Sequence, residues 1–273
     1  MNITQPEAKT QSSVLSPQSS HIAWGPTVRM VLLIALGAML TVKVARGGVL
    51  YYVNGVYTRL ILASGLALLI LGYIAGLRWI ARADHRPARH LHADGEHAHA
   101  TGRIEAAGYA MLAVPLLFGL LVPARPLGSA ALDARSNGGG QAVPSTRLKS
   151  LTELGSDSAR WTLLGWNAAI TQTTDARTLA GKPVSLTGFA APGDGGLGAG
   201  YFTVARFVIV CCVADGNAVT LPVKWEGSPP TRDTWLSVRG TLAMGAANGK
   251  SAPYIAATSI QTIPQPSQPY LYP

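Results

Sequence analysis

The chain has 273 residues, of which 48% are hydrophobic and only 13% are charged. This composition is unusual for a soluble protein and indicates membrane-spanning segments. The formal net charge is +9, but the basic residues form no stripe with interleaved aromatic residues, which argues against nucleic-acid binding.

A polar, disordered tail at residues 1–23 precedes a helical membrane region at residues 24–122. Residues 24–44, 60–80 and 104–122 are apolar runs. At ~1.5 Å per residue, each run is long enough to cross a hydrocarbon core of ~30 Å. The sequence therefore predicts three spans.

Two features of these runs concern the packing of the helices and the possible cleavage of the first run. Gly72 and Gly76 lie four residues apart on one face of the second span, where another helix can approach closely. A cleaved signal peptide is the alternative for the first run, but that run is longer than a typical signal. We therefore expect it to remain as a membrane helix.

Arginines predict the orientation of the spans. The loop at residues 81–103, counted with its flanks, carries Arg78, Arg82, Arg86, Arg89 and Arg103. The positive-inside rule places this loop and the N-terminus in the cytoplasm, and the C-terminal half outside it. Lys43, Arg46 and Arg59, around the first connector, are the counter-evidence.

The same loop is rich in histidine, with His85, His90, His92, His97 and His99 close together. The two His-x-His pairs can gather a borderline divalent metal, Zn²⁺ above all. The alternative is a solvated loop whose histidines add pH-dependent positive charge near anionic lipid.

The C-terminal half predicts an all-β domain at residues 151–263, after a Pro- and Gly-rich linker at residues 123–150. Runs rich in β-branched and aromatic residues indicate five strands, at residues 183–190, 201–214, 218–225, 234–244 and 254–263. Five short strands favour an OB-like barrel, with an open β-sandwich as the alternative. The Pro-rich tail, residues 264–273, should be extended and dock either on its own domain or on a partner.

Cys211 and Cys212 are the only cysteines, with Asp215 three residues further on. On a regular strand their side chains would point to opposite faces and could not share one metal site. Three functional interpretations remain: one cysteine binds metal with Asp215, a bulge re-aims both, or the pair forms a strained disulfide. The alternative is that both thiols are small apolar fillers of the barrel.

The sequence contains no GxSxG, P-loop, HExxH or strand-linked GxGxxG motif. We therefore expect the protein not to be an enzyme.

The chain resembles a bacterial family described as permease subunits in three segments. These are the run at residues 206–215 with its Cys-Cys-x-Ala-Asp core, residues 123–129, and the terminal Pro-x-x-Pro-Tyr-Leu-Tyr. The resemblance implies a multi-pass protein of the bacterial cell membrane that is the accessory subunit of a separate multi-span permease. Two alternatives remain, a metal-handling protein that uses the histidine loop with Cys211, Cys212 and Asp215, and a membrane-tethered thiol redox protein.

Overall fold

The computed structural model describes residues 24–84, 98–137 and 154–273. The helices are α1 (Trp24–Ala45), α2 (Thr58–Asp84), α3 (Ala98–Leu121), α4 (Ser129–Asn137) and α5 (Leu163–Gln172). The strands are β1 (Pro183–Ala191), β2 (Tyr201–Val208), β3 (Asn217–Lys224), β4 (Trp235–Ala247) and β5 (Lys250–Thr262).

Helices α1 and α2 form a tight hairpin whose contact surface is made by glycines. A Cβ atom added to Gly37 on α1 would lie 2.7 Å from the carbonyl oxygen of Gly65 on α2, so the two backbones are in close contact. Gly72 and Gly76 make room for side chains of α1, since a Cβ added there would lie 2.6 Å from Ile34 Cγ1 and 3.0 Å from Met30 Sδ. The close helix approach predicted for this glycine face is therefore confirmed, and it follows from the absence of side chains on these glycines.

Within the described residues, two helices are long and apolar enough to cross a membrane, Thr27–Ala45 and Gly55–Ala81. Only 6% and 11% of their apolar windows are buried, unlike the core helices of a soluble protein. The apolar stretch of α3, Ala107–Leu121, is shorter. The three predicted spans are thus matched by two helices of full length and one shorter apolar stretch.

The five strands form a single sheet in the order β1-β2-β3-β5-β4, and β4 pairs again with β1, so the sheet closes on itself. All pairs are antiparallel except β3 with β5. Helix α5 lies against this sheet and buries Trp166 completely in the main core. Four strands lie within four residues of their predicted bounds, whereas β2 ends at Val208 instead of residue 214.

Two segments outside the strands cover the outer face of the sheet. Helix α4 lies in the first half of the predicted linker, where the backbone N–H of Ser129 donates to Asp233 and Arg232 pairs with Asp133. The C-terminal tail continues the sheet, because Leu271 pairs in parallel with Val208. Both segments pack against a second cluster of buried side chains on β1, β2 and β4.

Candidate thiol and carboxylate site

The segment between β2 and β3, residues 209–216, is named the Cys loop here. One carboxylate shapes it: Asp215 Oδ1 accepts from the backbone N–H of Val210 at 2.8 Å, and Oδ2 accepts from Cys211 at 2.7 Å and Cys212 at 3.3 Å. These N–H groups cannot also continue a β-ladder. The prediction of a strand that continues to residue 214 is therefore wrong.

The Cys loop brings the two thiols together. Cys211 Sγ and Cys212 Sγ are 3.6 Å apart, and both lie within 4.8 Å of an Asp215 carboxylate oxygen. The prediction that the thiols point to opposite faces is wrong, because it assumed a regular strand. Of the earlier interpretations, a local irregularity that re-aims both thiols describes the loop best.

Neither thiol belongs to the buried core of the described residues. Cys211 is exposed and Cys212 is half-buried, and both are free thiols. The interpretation of the pair as apolar fillers of the barrel is therefore wrong, since the residue at the end of β2 that fills the core is Ile209.

Hydrogen bonds set the charge state of the site. Burial raises the pKa of Asp215, but the Cys211 thiol and the backbone N–H groups of the Cys loop outweigh burial and lower it. For Cys211, the hydrogen bond of the thiol to Asp215, together with the neighbouring Cys212, raises the pKa to about 11. Without a cation, the site thus holds a carboxylate beside a protonated Cys211 at neutral pH.

The Cys loop is docked on the connector between α1 and α2, residues 46–57. Asn54 donates from its backbone N–H to the Cys211 carbonyl at 3.0 Å and from Nδ2 to the Val210 carbonyl at 2.9 Å. The N–H of Val213 donates to the Tyr52 carbonyl at 2.9 Å. The loop and the connector therefore form a short antiparallel pairing.

Two further segments hold the Cys loop. Arg135 on α4 donates to the Val213 carbonyl at 3.0 Å, and its guanidinium lies 5.2 Å from the centre of the Phe207 ring. In the tail, the Leu271 carbonyl accepts from the N–H of Ile209 at 3.1 Å, and the Tyr270 hydroxyl donates to the Tyr51 carbonyl of the connector at 3.0 Å. The loop is thus supported by three segments that are remote from it in sequence.

These supporting residues were not found from the sequence. Asn54 precedes Gly55 and caps a short 3₁₀ turn by accepting from the N–H of Val56, a pattern that is visible in the sequence but indicates only a turn. Arg135 gave no signal, because its segment was interpreted as a linker. Its role depends on a tertiary contact that local pattern does not report.

The structure describes only a small part of the predicted histidine metal site. His85, His90, His92 and His97 lie outside the described residues, and of His99 only the backbone, in the first turn of α3, is described. The zinc interpretation of this loop therefore stays a prediction.

Comparison with known proteins gives two matches to models of the same family. No curated protein and no solved structure matches the chain. The DUF1980 N-terminal domain matches residues 28–138, from α1 through α4. The DUF1980 C-terminal domain matches residues 166–273, which include the closed sheet, the Cys loop and the tail. The chain therefore belongs to the DUF1980 family and carries both of its domains.

Proposed function

We propose that the protein is a non-enzymatic accessory subunit of a two-component bacterial membrane permease, and that it holds an OB-type β domain against the outer face of the membrane. The observation that carries this proposal is the docking of the Cys loop on the connector between α1 and α2. Because the connector joins two apolar helices, this docking supports a position of the β domain and its thiols close to the membrane surface.

The docking also supports three membrane crossings. Helix α2 has 27 residues and leads the chain ~40 Å away from the connector. The chain returns along α3, where Gly119 contacts Met39 of α1, and Ala124 reaches Gly48 of the connector. Helix α3 is then the third span. Its apolar stretch of ~22 Å is short, which the bilayer accommodates by thinning locally.

The arginines around the loop at residues 81–103 favour a cytoplasmic position for that loop and an outer position for the β domain. A membrane-impermeant maleimide tests this orientation in a chain whose native cysteines are replaced by serine. A cysteine at Ser251, which is exposed on β5, should react in intact cells. A cysteine at Arg82 should react only after permeabilisation, and the opposite pattern would reverse the topology.

The strand order supports an OB-type domain. A ring of five strands with one parallel pair between β3 and β5 is the arrangement expected for a five-stranded Greek-key barrel. Such domains present loops for recognition. The Cys loop, between β2 and β3, is a further loop of this domain, distinct from the β1–β2 and β4–β5 loops that such domains use for binding.

The three helices are poorly suited to move a solute alone. The stretches 31–42, 60–77 and 107–121 contain no Asp, Glu, Lys, Arg or His, whereas pathways for polar solutes are lined by polar or ionisable groups. The side chains on these stretches include exposed Leu60, Leu71, Phe118 and Leu120. They suit contact with lipid or with the helices of a partner, which is why transport is assigned to a separate multi-span permease.

The test is co-purification. The tagged full chain is extracted from its own membranes in a mild detergent, with an unrelated tagged membrane protein as the background control. We expect a multi-span permease in stoichiometric amount, and its loss in a stronger detergent. A chain that runs alone at every detergent strength would overturn the proposal.

A further inference from the structure

We propose that Cys211, Cys212 and Asp215 form a tetrahedral site for a divalent metal ion of borderline softness, Zn²⁺ first among them, with one coordination position open. The role of the metal rests on the proposed function, because the site would present the ion at the membrane face beside the permease. The binding itself depends only on the geometry of the Cys loop.

The separation of the two sulfurs fits this class of metal. Two thiolates bound to one tetrahedral Zn²⁺ at ~2.3 Å lie about 3.8 Å apart. The observed separation of Cys211 Sγ and Cys212 Sγ is 3.6 Å. A linear two-coordinate ion with the same bond length would need ~4.6 Å, and a disulfide needs ~2.05 Å. The two thiols, which are in S–H···S contact, therefore already stand close to the separation that tetrahedral binding needs, and they would have to move by ~1 Å or more to suit either alternative.

Asp215 supplies the third ligand. A carboxylate has about four lone-pair positions, and three backbone N–H groups of the Cys loop use three of them. The remaining position lies near both sulfurs, since a carboxylate oxygen of Asp215 is within 4.8 Å of each of them. A metal ion between the three groups would use that position, so the carboxylate can be its third ligand without giving up its bonds to the loop backbone.

The hydrogen bonds around the loop hold the ligands in place. Asn54 binds the carbonyl groups of Val210 and Cys211, and Arg135 binds that of Val213. Contacts of this kind orient ligands and restrict their motion, which favours binding. The Cys loop is therefore preorganised, although it is exposed.

The fourth position is open. Among the described residues, the group of potential ligand side chains at this site consists of these three, and Cys211 is exposed to solvent. Binding releases the two thiol protons to solvent without electron transfer, and water completes the tetrahedron. Sites that keep an open position exchange a ligand, unlike structural zinc sites with four protein ligands. Such a site can pass the ion to a donor group on another protein.

Co²⁺ titration of the purified full chain tests the site. The background is a chain in which His85, His90, His92, His97 and His99 are alanine, so that the histidine loop cannot contribute. We expect one equivalent of Co²⁺ to produce the thiolate-to-cobalt charge-transfer absorption and the intense visible bands of tetrahedral coordination. Addition of Zn²⁺ should abolish both signals.

Three variants in that background give the signature of the site. Cys211→Ser and Cys212→Ser should each lower the charge-transfer intensity by about half and weaken binding at least tenfold. Asp215→Asn should keep the charge-transfer band but weaken binding, by roughly the 10–100-fold seen when groups at a metal site are removed. Ala214→Ser, at an exposed position of the same loop, is the matched control and should bind as the parent does.

The outcomes separate this inference from the proposed function. A parent chain that gives no charge-transfer band, or a Cys211→Ser/Cys212→Ser chain that gives the same band, overturns the metal site, whatever the permease result. A chain that binds Co²⁺ but never retains a permease overturns the proposed function alone. Thermal unfolding of each variant excludes misfolding as the cause. The cysteine variants and Ala214→Ser should match the parent, because these side chains lie outside the core, whereas Asp215→Asn should unfold at a slightly lower temperature, because one oxygen replaces the two that accept from the loop backbone.

Discussion

Docking of the Cys loop on the connector can be tested by a designed cross-link between Val53 and Cys212, which pair across it. The two hydrogen bonds of this pairing belong to the flanking residues, so Val53 and Cys212 form a non-hydrogen-bonded pair. In such pairs the Cα atoms are about 4.5 Å apart, inside the range of roughly 4.4–6.8 Å that a disulfide spans. Val53→Cys in a Cys211→Ser chain should therefore form a disulfide with Cys212.

The cross-link is measured as a mobility shift on non-reducing gels after mild oxidation of the purified chain, with reduction as the reversal. We expect nearly complete conversion, because the pair is preformed within one chain. Val56→Cys in the same background is the control. Val56 lies on the same connector but is 78% exposed and outside the pairing, so it should not cross-link.

Equal cross-linking of Cys212 with both engineered positions would show that the loop only collides with the connector. No cross-linking with either position would show that the β domain is not docked there. Either result would refute the argument that the thiols are fixed at the membrane surface.

Three further predictions follow from the described contacts. In a Cys212→Ser chain, alkylation of Cys211 should be slow at neutral pH and faster in alkaline solution, because the hydrogen bond to Asp215, the largest cause of the raised pKa of Cys211, remains. Asp215→Asn should accelerate alkylation near pH 8, and no change in rate would contradict the assigned cause. Gly240→Ala should destabilise the β domain by about 1–3 kcal/mol in thermal unfolding, since a Cβ there would overlap a backbone carbonyl of β5; an unchanged midpoint would show that the sheet yields easily. Tyr270→Phe keeps the ring but removes two hydrogen bonds to the backbone, so denaturant unfolding should show a loss of about 1–2 kcal/mol, and a neutral effect would mean that water replaces both.

Much of the fold could be predicted from the sequence, because its signals are local in composition. The strands are rich in β-branched and aromatic residues and are bounded by Gly, Pro, Asp or Asn, so four of the five could be placed closely. The apolar runs of α1 and α2 are equally direct signals. Helix α4 was not predicted, because its nine residues have only a weak apolar pattern. Its position depends on contacts with Arg232 and Asp233, which are remote in sequence.

The position of the candidate site could be predicted from the sequence, but its geometry could not. Two adjacent cysteines followed by an aspartate indicate the position, since the chain has no other thiols. The error arose from extending the β-pattern of Val208 through Val210 into the loop. Residues 208–210 are apolar because Ile209 is buried against the C-terminal tail. The local sequence does not show that the Asp215 carboxylate accepts from the backbone N–H groups that would otherwise pair with β3.

The contacts that support the Cys loop come from both family domains of the chain. Asn54 lies in the connector between α1 and α2, Arg135 lies on α4, and Leu271 lies in the tail, which pairs with the end of β2 immediately before the loop. The first two belong to the N-terminal family domain and the third to the C-terminal one. The Asp215 carboxylate holds the loop internally by accepting from the N–H groups of Val210, Cys211 and Cys212. The remote contacts restrict the rest of the loop, so its backbone is held both from within and by segments of both domains.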